Sequence, residues 1–342
     1  MNTTPDTTDS NLEPISPEDA RDLYLESRTD ELAARSLELH EKHLDEFVSW
    51  CEDNGIENVN EIAGRTVHRF RLDIKTEFAQ STLSIYLSTI RQFVRFCESI
   101  DAVSTGTTEK IVLPTRERKT RTEMLEPEEA TTILSYLRKY HYASRTHALM
   151  ALLWHTGIRT GTVQSLDVND LDTDRDRLRI RHRPETDTPL KNGNSAERYV
   201  ALSPEVTEVL ADYVAENRHE VTDEYGRDPL FTTKRGRPAK NSIRRNIYAA
   251  TRPCTTGREC PHRKDPATCE AAQRTNTAAK CPSTVSGHPV RRGAITHFLR
   301  QDVPEKVVSD RMNVSQDVLD KHYDQRTEDE KAEQRRAYLS NL

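Results

Sequence analysis

No run of about eighteen apolar residues, the length a helix needs to cross a bilayer, occurs anywhere in the 342 residues, which excludes a helical membrane span. The N-terminus lacks the basic-then-apolar order of a secretory signal and is instead rich in Thr, Asp and Ser, so a cytoplasmic protein is expected. Cysteine is sparse at six residues and forms no C-x-x-C pair. Four of the six crowd between Cys254 and Cys281, which reads as thiols in a reducing compartment, not as a disulfide framework. Positive charge is also lacking: the net charge is −6, a poor balance for a protein whose partner is a polyanion.

The distribution of charge removes that objection. Residues 1–31 carry nine acids against Arg21 and Arg28, a contribution of −7, so the remaining 311 residues sum to +1. Basic residues then concentrate in Arg116, Arg118, Lys119 and Arg121, and in Lys234, Arg235, Arg237, Lys240, Arg244 and Arg245, the second run holding no acid. Solvated surface charge is the ordinary reading of such runs, and a track along a phosphate backbone is the functional one.

Length and pattern predict two domains. Residues 1–15 are polar and expected to be disordered. Residues 16–112 carry helical periodicity, in Leu37, Leu44, Phe47, Val48 and Cys51 and in Leu83, Tyr86, Leu87, Ile90, Phe93, Val94 and Cys97. The face opposite the second series presents Ser84, Ser88, Arg91 and Arg95, a stripe suited to phosphates or simply to solvent. Periodicity lapses over Asp101–Thr122, and 113–124 is read as a basic linker. A second domain, 125–342, begins with a helix start at Pro127, Glu128 and Glu129. Next comes an apolar helix stopped by Gly157. Alternation at Arg177–Arg181 and Arg198–Leu202 predicts two strands of a small antiparallel sheet. Helices are expected at Pro204–Asn217, Asn241–Thr251, Val290–Arg300 and Pro304–Met312, with a shorter one reaching Tyr323. The fold class is therefore mainly α with a small antiparallel sheet.

Chemistry concentrates near the end. Breaking and rejoining a phosphodiester takes a nucleophile that conserves the bond energy, cations around the phosphoryl oxygens and an acid for the leaving hydroxyl. Tyr323 follows the H-x-x-R pair His288 and Arg291, and Arg159 stands far upstream. Each residue alone has a dull explanation in packing, capping or turn formation; their joint occurrence in one order is the signal. Between 252 and 283 lies a segment with Cys254, Cys260, Cys269 and Cys281, spaced unlike common zinc fingers. Two readings stand: a structural zinc site, with His262 able to replace one thiol, or unliganded reduced cysteines.

The stretch HPVRRGAITHFLRQDVPEKVVSDRMNVSQDVLDKHYD resembles the catalytic segment of the tyrosine site-specific recombinases, or phage integrases, and within them the integrase-like proteins of halophilic archaea. It fits that family's frame, H-x-L-R-H-T-F-A-T-H, an apolar helix, L-G-H and a tyrosine nine residues on, without a gap from His288 to Tyr323. Thr156-Gly157-Ile158-Arg159 matches the family's first arginine, and Lys191-Asn192-Gly193 with Glu197-Arg198-Tyr199-Val200-Ala201-Leu202 matches its lysine hairpin.

The resemblance implies a helical, SAM-like core-binding domain followed by an integrase-type catalytic domain. It implies that Arg159 and Arg291 clamp the scissile phosphate, that Lys191 protonates the leaving 5′ oxygen, that His288 assists proton transfer and that Tyr323 attacks. It also implies double-stranded DNA with short recombination sites as partner, a homo-tetramer acting through a Holliday junction, and no cofactor for catalysis. The tail at 324–342, with Tyr338, Leu339 and Leu342, is expected either to dock on a neighbouring protomer or to fray.

Two departures stand out. Val314 occupies the position of the family's His or Trp donor, leaving Asn313 or His322 as candidates for that role. Thr162 stands where an acid usually follows the first arginine. The competing readings are a non-enzymatic DNA-binding protein of the same fold and a type IB topoisomerase.

Overall fold

The computed structural model describes residues 12–114, 123–324 and 326–339, and the side chain of His322 lies outside its described part. The chain divides into two compact units, Met1–Lys119 and Thr120–Leu342. No described helix is long and apolar enough to cross a membrane.

The first unit is built from α1 (Pro17–Ser27), α2 (Ala34–Asp53), α3 (Gly64–Ile74) and α4 (Gln80–Ser99). Ser16 caps α1 by accepting from the Asp19 amide, with Pro17 at the first helical position. Leu44, Phe47 and Cys51 of α2 share one core with Leu83, Leu87, Ile90, Phe93 and Cys97 of α4. Phe47 meets Phe70 edge-on at 4.9 Å. Because α4 packs against α1, α2 and α3, it is buried on more than one face. The expected polar stripe on α4 is corrected accordingly: Ser84 is buried, Ser88 and Arg91 are half-buried, and Arg95 alone of that row is exposed.

Residues 13–15, expected to be disordered, are tied down. The Glu13 amide donates to the Asp101 carbonyl at 2.9 Å, the Ile15 carbonyl accepts from Val59 at 3.0 Å, and Ile15 packs on the core. Arg116, Arg118, Lys119 and Arg121 lie outside the described residues.

The second unit opens with α5 (Pro127–Tyr140), the buried α6 (Arg145–Thr156) and α7 (Thr160–Ser165). A three-stranded antiparallel sheet follows, β1 (Leu171–Asp172), β2 (Arg177–Ile180) and β3 (Arg198–Ala201), in that order. Arg177 to Ile180 pair in register with Ala201 to Arg198. Of these three strands β1 escaped the sequence pattern, since two residues cannot show alternation. Then come α8 (Pro204–Asp212), which runs into a wider turn at Tyr213–Asn217, α9 (Lys240–Thr251) and the short α10 (Glu270–Gln273). The last elements are α11 (Gly287–Arg300), α12 (Glu305–Met312), α13 (Gln316–His322) and α14 (Glu328–Leu339).

Two glycines permit close approaches that set the site. At Gly293 a Cβ would lie 2.0 Å from the Leu125 carbonyl oxygen, so only glycine lets α11 press on the strand of chain ahead of α5. Gly157 ends α6 in the left-handed region at φ 58°, and its bare face accepts the sulfur of Met312.

Candidate active site

The apolar frame of the site is a small cluster of Ile295, Leu299, Val308, Met312, Val314, Leu319 and Tyr323. Alpha-helical spacing on α11, α12 and α13 directs these side chains inward, so three short helices share one knot. Tyr323 sits just past α13, is 9% exposed, and its carbonyl accepts from the buried Thr296 hydroxyl at 2.9 Å. Asp324, next in the chain, takes the Nε and Nη2 of Arg326 at 2.9 and 2.8 Å, and the same guanidinium reaches Glu305 at 2.6 Å. Burial would raise the Asp324 carboxyl, but the Arg326 hydrogen bonds hold it below the ordinary value. Arg300 of α11 pairs with Glu330 at 2.9 Å, so α14 begins against its own chain; the side chains of Tyr338, Leu339 and Leu342 lie outside the described part.

One open cleft of about 670 Å³ gathers Arg159, Lys191, His288 and Tyr323, together with Asn192, Arg198, Asn313 and Val314. Arg291 lies beneath it, 1% exposed, with its guanidinium 5.3 Å from the Tyr323 ring centroid. The five residues expected from sequence to form one site are thus brought together. His288 stands near the start of α11, exposed on the cleft side. Lys191 is exposed on the hairpin between β2 and β3, where Leu190 anchors in the core and Gly193 turns the chain at φ 58°.

The arginines carry their charge without carboxylate partners among the described residues. Instead, consecutive carbonyls at the C-terminal end of α12 serve them. Arg198 Nε donates to the Arg311 carbonyl at 2.9 Å, Arg291 Nη2 to that of Met312 at 2.9 Å, and Arg159 Nη1 to that of Asn313 at 3.1 Å. The helix dipole puts partial negative charge at that end, which suits three cations. It does not neutralise them. Burial, then repulsion from Arg159, pushes Arg291 down to about 10, and burial, then Arg291, Arg159 and Arg311, pushes Arg198 down to about 10. His288 is lowered for the same reasons: desolvation first, then Arg291, Lys191, Arg159 and Arg292. The buried Nε atoms of Arg159 and Arg291 have no partner among the described residues. A cleft of this kind, with unneutralised cations around a phenol, is shaped for an anion of several oxygens.

Asn313 ends α12 in the left-handed conformation at φ 49°, which asparagine tolerates better than most residues other than glycine. Val314 is buried in the apolar cluster and points no donor at the cleft. Arg198 and Asn192 were missed as site residues. Both stand inside the hairpin motif read from sequence, but a motif does not show which of its side chains turns into the cleft.

Away from the cleft, Lys234, Arg235, Lys240, Arg244 and Arg245 are exposed. Arg237 is corrected: its guanidinium is consumed inside the protein, donating to Asp223 at 2.8 Å, Asp167 at 2.5 Å and the Gln164 carbonyl at 2.7 Å. Asp167 also takes Arg227 Nε and Nη2, each at 3.0 Å, and Arg183 lies 3.5 Å from it. This knot fixes the loop that follows α7, the helix that starts directly after Arg159.

The four thiols Cys254, Cys260, Cys269 and Cys281 are free and half-buried, and with His262 they line one cavity of about 80 Å³. Zinc would hold thiolates about 3.8 Å apart, given Zn–S bonds of about 2.3 Å in a tetrahedron. No three of these ligand atoms lie within 4.8 Å of one another, so as placed they do not fit a closed zinc site. His262 is bonded instead to the Ser283 hydroxyl at 2.9 Å. Glu305, Asp320 and Asp324 do form a tight carboxylate group, but Arg326 already bridges two of them.

Comparison with known proteins places this geometry in context. The chain is 26% identical over 191 residues to the tyrosine recombinase XerC of Lactobacillus delbrueckii subsp. bulgaricus, covering 55% of this chain and 61% of that protein. It is 27% identical over 158 residues to XerD of Oceanobacillus iheyensis, covering 46% and 50%. The chain thus matches about half to three-fifths of the length of these curated relatives. Among solved structures, the Tn1549 transposon integrase in complex with transposon right end DNA matches with a TM-score of 0.66 at 13% identity, covering 95% of this chain and all of that one. A lambda integrase dimer bound to a COC′ core site matches with a TM-score of 0.60 at 10% identity, covering 94% and 77%. At such identities these structures show the shared integrase fold. The phage integrase family model matches residues 123–329, and the chain belongs to that family.

Proposed function

We propose that this chain is a site-specific DNA recombinase or integrase that cleaves and rejoins strands through a 3′-phosphotyrosyl intermediate. The observation that carries the reading is the single cleft that holds Tyr323, Arg159, Lys191 and His288, with Arg291 against the tyrosine ring. In this reading the Tyr323 oxygen attacks phosphorus and its proton passes to His288. The P–O5′ bond breaks, and Lys191 gives a proton to the departing oxygen. Arg159 and Arg291 hold the non-bridging oxygens as charge builds on the five-coordinate phosphorus. The phosphotyrosyl ester keeps the bond energy, so a 5′-hydroxyl from another strand reverses the step and joins the new partner. Two such exchanges across paired duplexes pass through a Holliday junction, and four cleavages call for four copies of the site, hence a homo-tetramer on DNA. The chemistry itself is complete without a nucleotide or metal. Of the cations read as DNA contacts, Arg95, Lys234, Arg235, Lys240, Arg244 and Arg245 are exposed to meet the backbone.

The test uses a suicide duplex, nicked near the cleavage point, carrying a sequence the protein selects from a random pool. A denaturation-resistant protein–DNA adduct that disappears in Tyr323→Phe, with duplex affinity retained, is the expected result. A tightly bound duplex that yields no adduct would leave a DNA-binding module of the same fold.

A further inference from the structure

The cleft contains a side-chain amide with a fixed orientation and free donors. Asn313 is half-buried at the end of α12, where φ 49° lifts its side chain out of the helix line and over the cleft. Its carbonyl oxygen is taken by Arg159 Nη1 at 3.1 Å, and its side-chain Oδ1 by Asn192 Nδ2 at 3.1 Å. With both oxygens engaged, the Nδ2 hydrogens are the remaining polarity of that residue, and they have no partner among the described residues. Asn192 stands beside Lys191, and its backbone carbonyl accepts from the Ser195 hydroxyl at 2.6 Å, so the turn that carries the amide is itself tied. Val314, next along, faces the same cleft with nothing to donate.

We propose that Asn313 is a catalytic hydrogen-bond donor to a non-bridging oxygen of the scissile phosphate, and that Asn192 is the positioning residue that fixes its amide. The occupant is a phosphodiester oxygen: the neighbours that share the cleft, Arg159, Lys191 and His288, converge on an anion, and a neutral N–H donor adds direction to their charge without adding to their mutual repulsion. The proposal rests on the recombinase reading above and deepens it.

Glycine separates the donor role from the backbone role. Asn313→Gly keeps or improves the left-handed turn, because glycine adopts positive φ at no steric cost, and it removes only the amide. Single-turnover cleavage of the suicide duplex by the full chain is expected to slow by about 10²-fold in this variant, the usual scale for one lost transition-state donor. Duplex affinity and melting temperature should stay at or above wild type. Asn192→Ala is expected to slow cleavage less, and to add little on top of Asn313→Gly, since it acts through that amide. Asn313→Gly combined with Val314→His moves a donor one residue along and is expected to recover much of the rate.

Cleavage at wild-type rate by Asn313→Gly overturns the proposal. So does a rate loss matched by a fall in melting temperature, or full additivity of the Asn192 and Asn313 effects. Absence of an adduct in the wild type overturns this proposal and the recombinase reading together, whereas an adduct undiminished in Asn313→Gly overturns this one alone.

Discussion

At the scale of single residues, His288 responds to its surroundings in a way that can be followed directly. Desolvation and the cations Arg291, Lys191, Arg159 and Arg292 all favour the neutral ring, so its titration midpoint in the free protein is expected below the usual 6.5. The imidazole is then neutral at pH 7 and able to accept a proton. A bound phosphodiester places one negative charge among the same cations and offsets part of their repulsion, so the midpoint is expected to rise. Proton NMR of the ring, with and without the selected duplex, measures both values; a midpoint that falls on binding contradicts an anion at this position. The residues of the cleft were legible because their order and spacing survive in the sequence. Arg198 and Asn192 were not, since what recruits them is the α12 end folding across the hairpin, a contact between segments more than a hundred residues apart. Arg237 shows the converse error: a cation in a basic run was counted as surface, while Asp167 and Asp223, distant in sequence, draw it inside.

At the scale of elements, the Asp167 knot joins the turn after α7 to the segments carrying Arg183, Arg227 and Arg237. Its side chain is nearly buried, and the guanidiniums around it have little solvent to fall back on. Asp167→Asn keeps the shape and removes the charge, leaving like charges facing one another across a neutral amide. A loss of about 3–5 kcal/mol in unfolding free energy is expected, the range for breaking a buried pair from one side, read from the urea midpoint of the full chain. A loss under about 1 kcal/mol would mean the knot behaves as an exposed surface ion pair. Helices with one apolar face, such as α2 and α9, could be drawn from periodicity alone. The polar stripe assigned to α4 failed because α4 has neighbours on more than one side, and periodicity reports the strongest face without reporting a second. The strand β1 was invisible because pairing with β2, not its own two residues, makes it a strand.

For the molecule as a whole, the net charge of −6 and the cationic cleft pull in opposite directions. Affinity for duplex DNA should therefore come from local patches and fall steeply with salt, with log Kobs dropping by about 0.9 per neutralised phosphate per decade of salt. Arg244→Ala with Arg245→Ala is expected to reduce the magnitude of that slope by about 1.8 if both meet phosphates. A slope unchanged from wild type assigns the exposed face of α9 to solvent. The two-part division and helical class were readable from the lapse of periodicity before Leu125. The placement of the cysteine segment was not, because spacing alone does not tell whether four thiols meet at one point or merely border the same hollow.

The arginines of the cleft are held by peptide carbonyls of residues 311–313, which orient them without neutralising them, and that choice of partner decides how the site can vary. A carboxylate counter-charge is lost to one substitution and to acid; a carbonyl has no side chain to replace and does not titrate. The carbonyl side of these contacts is therefore unchanged by pH as long as α12 stays wound, and no exchange of one polar side chain for another deletes it. What can delete it is a change that unwinds α12 itself, so that for this site the integrity of a two-turn helix takes the place that an invariant acid holds elsewhere.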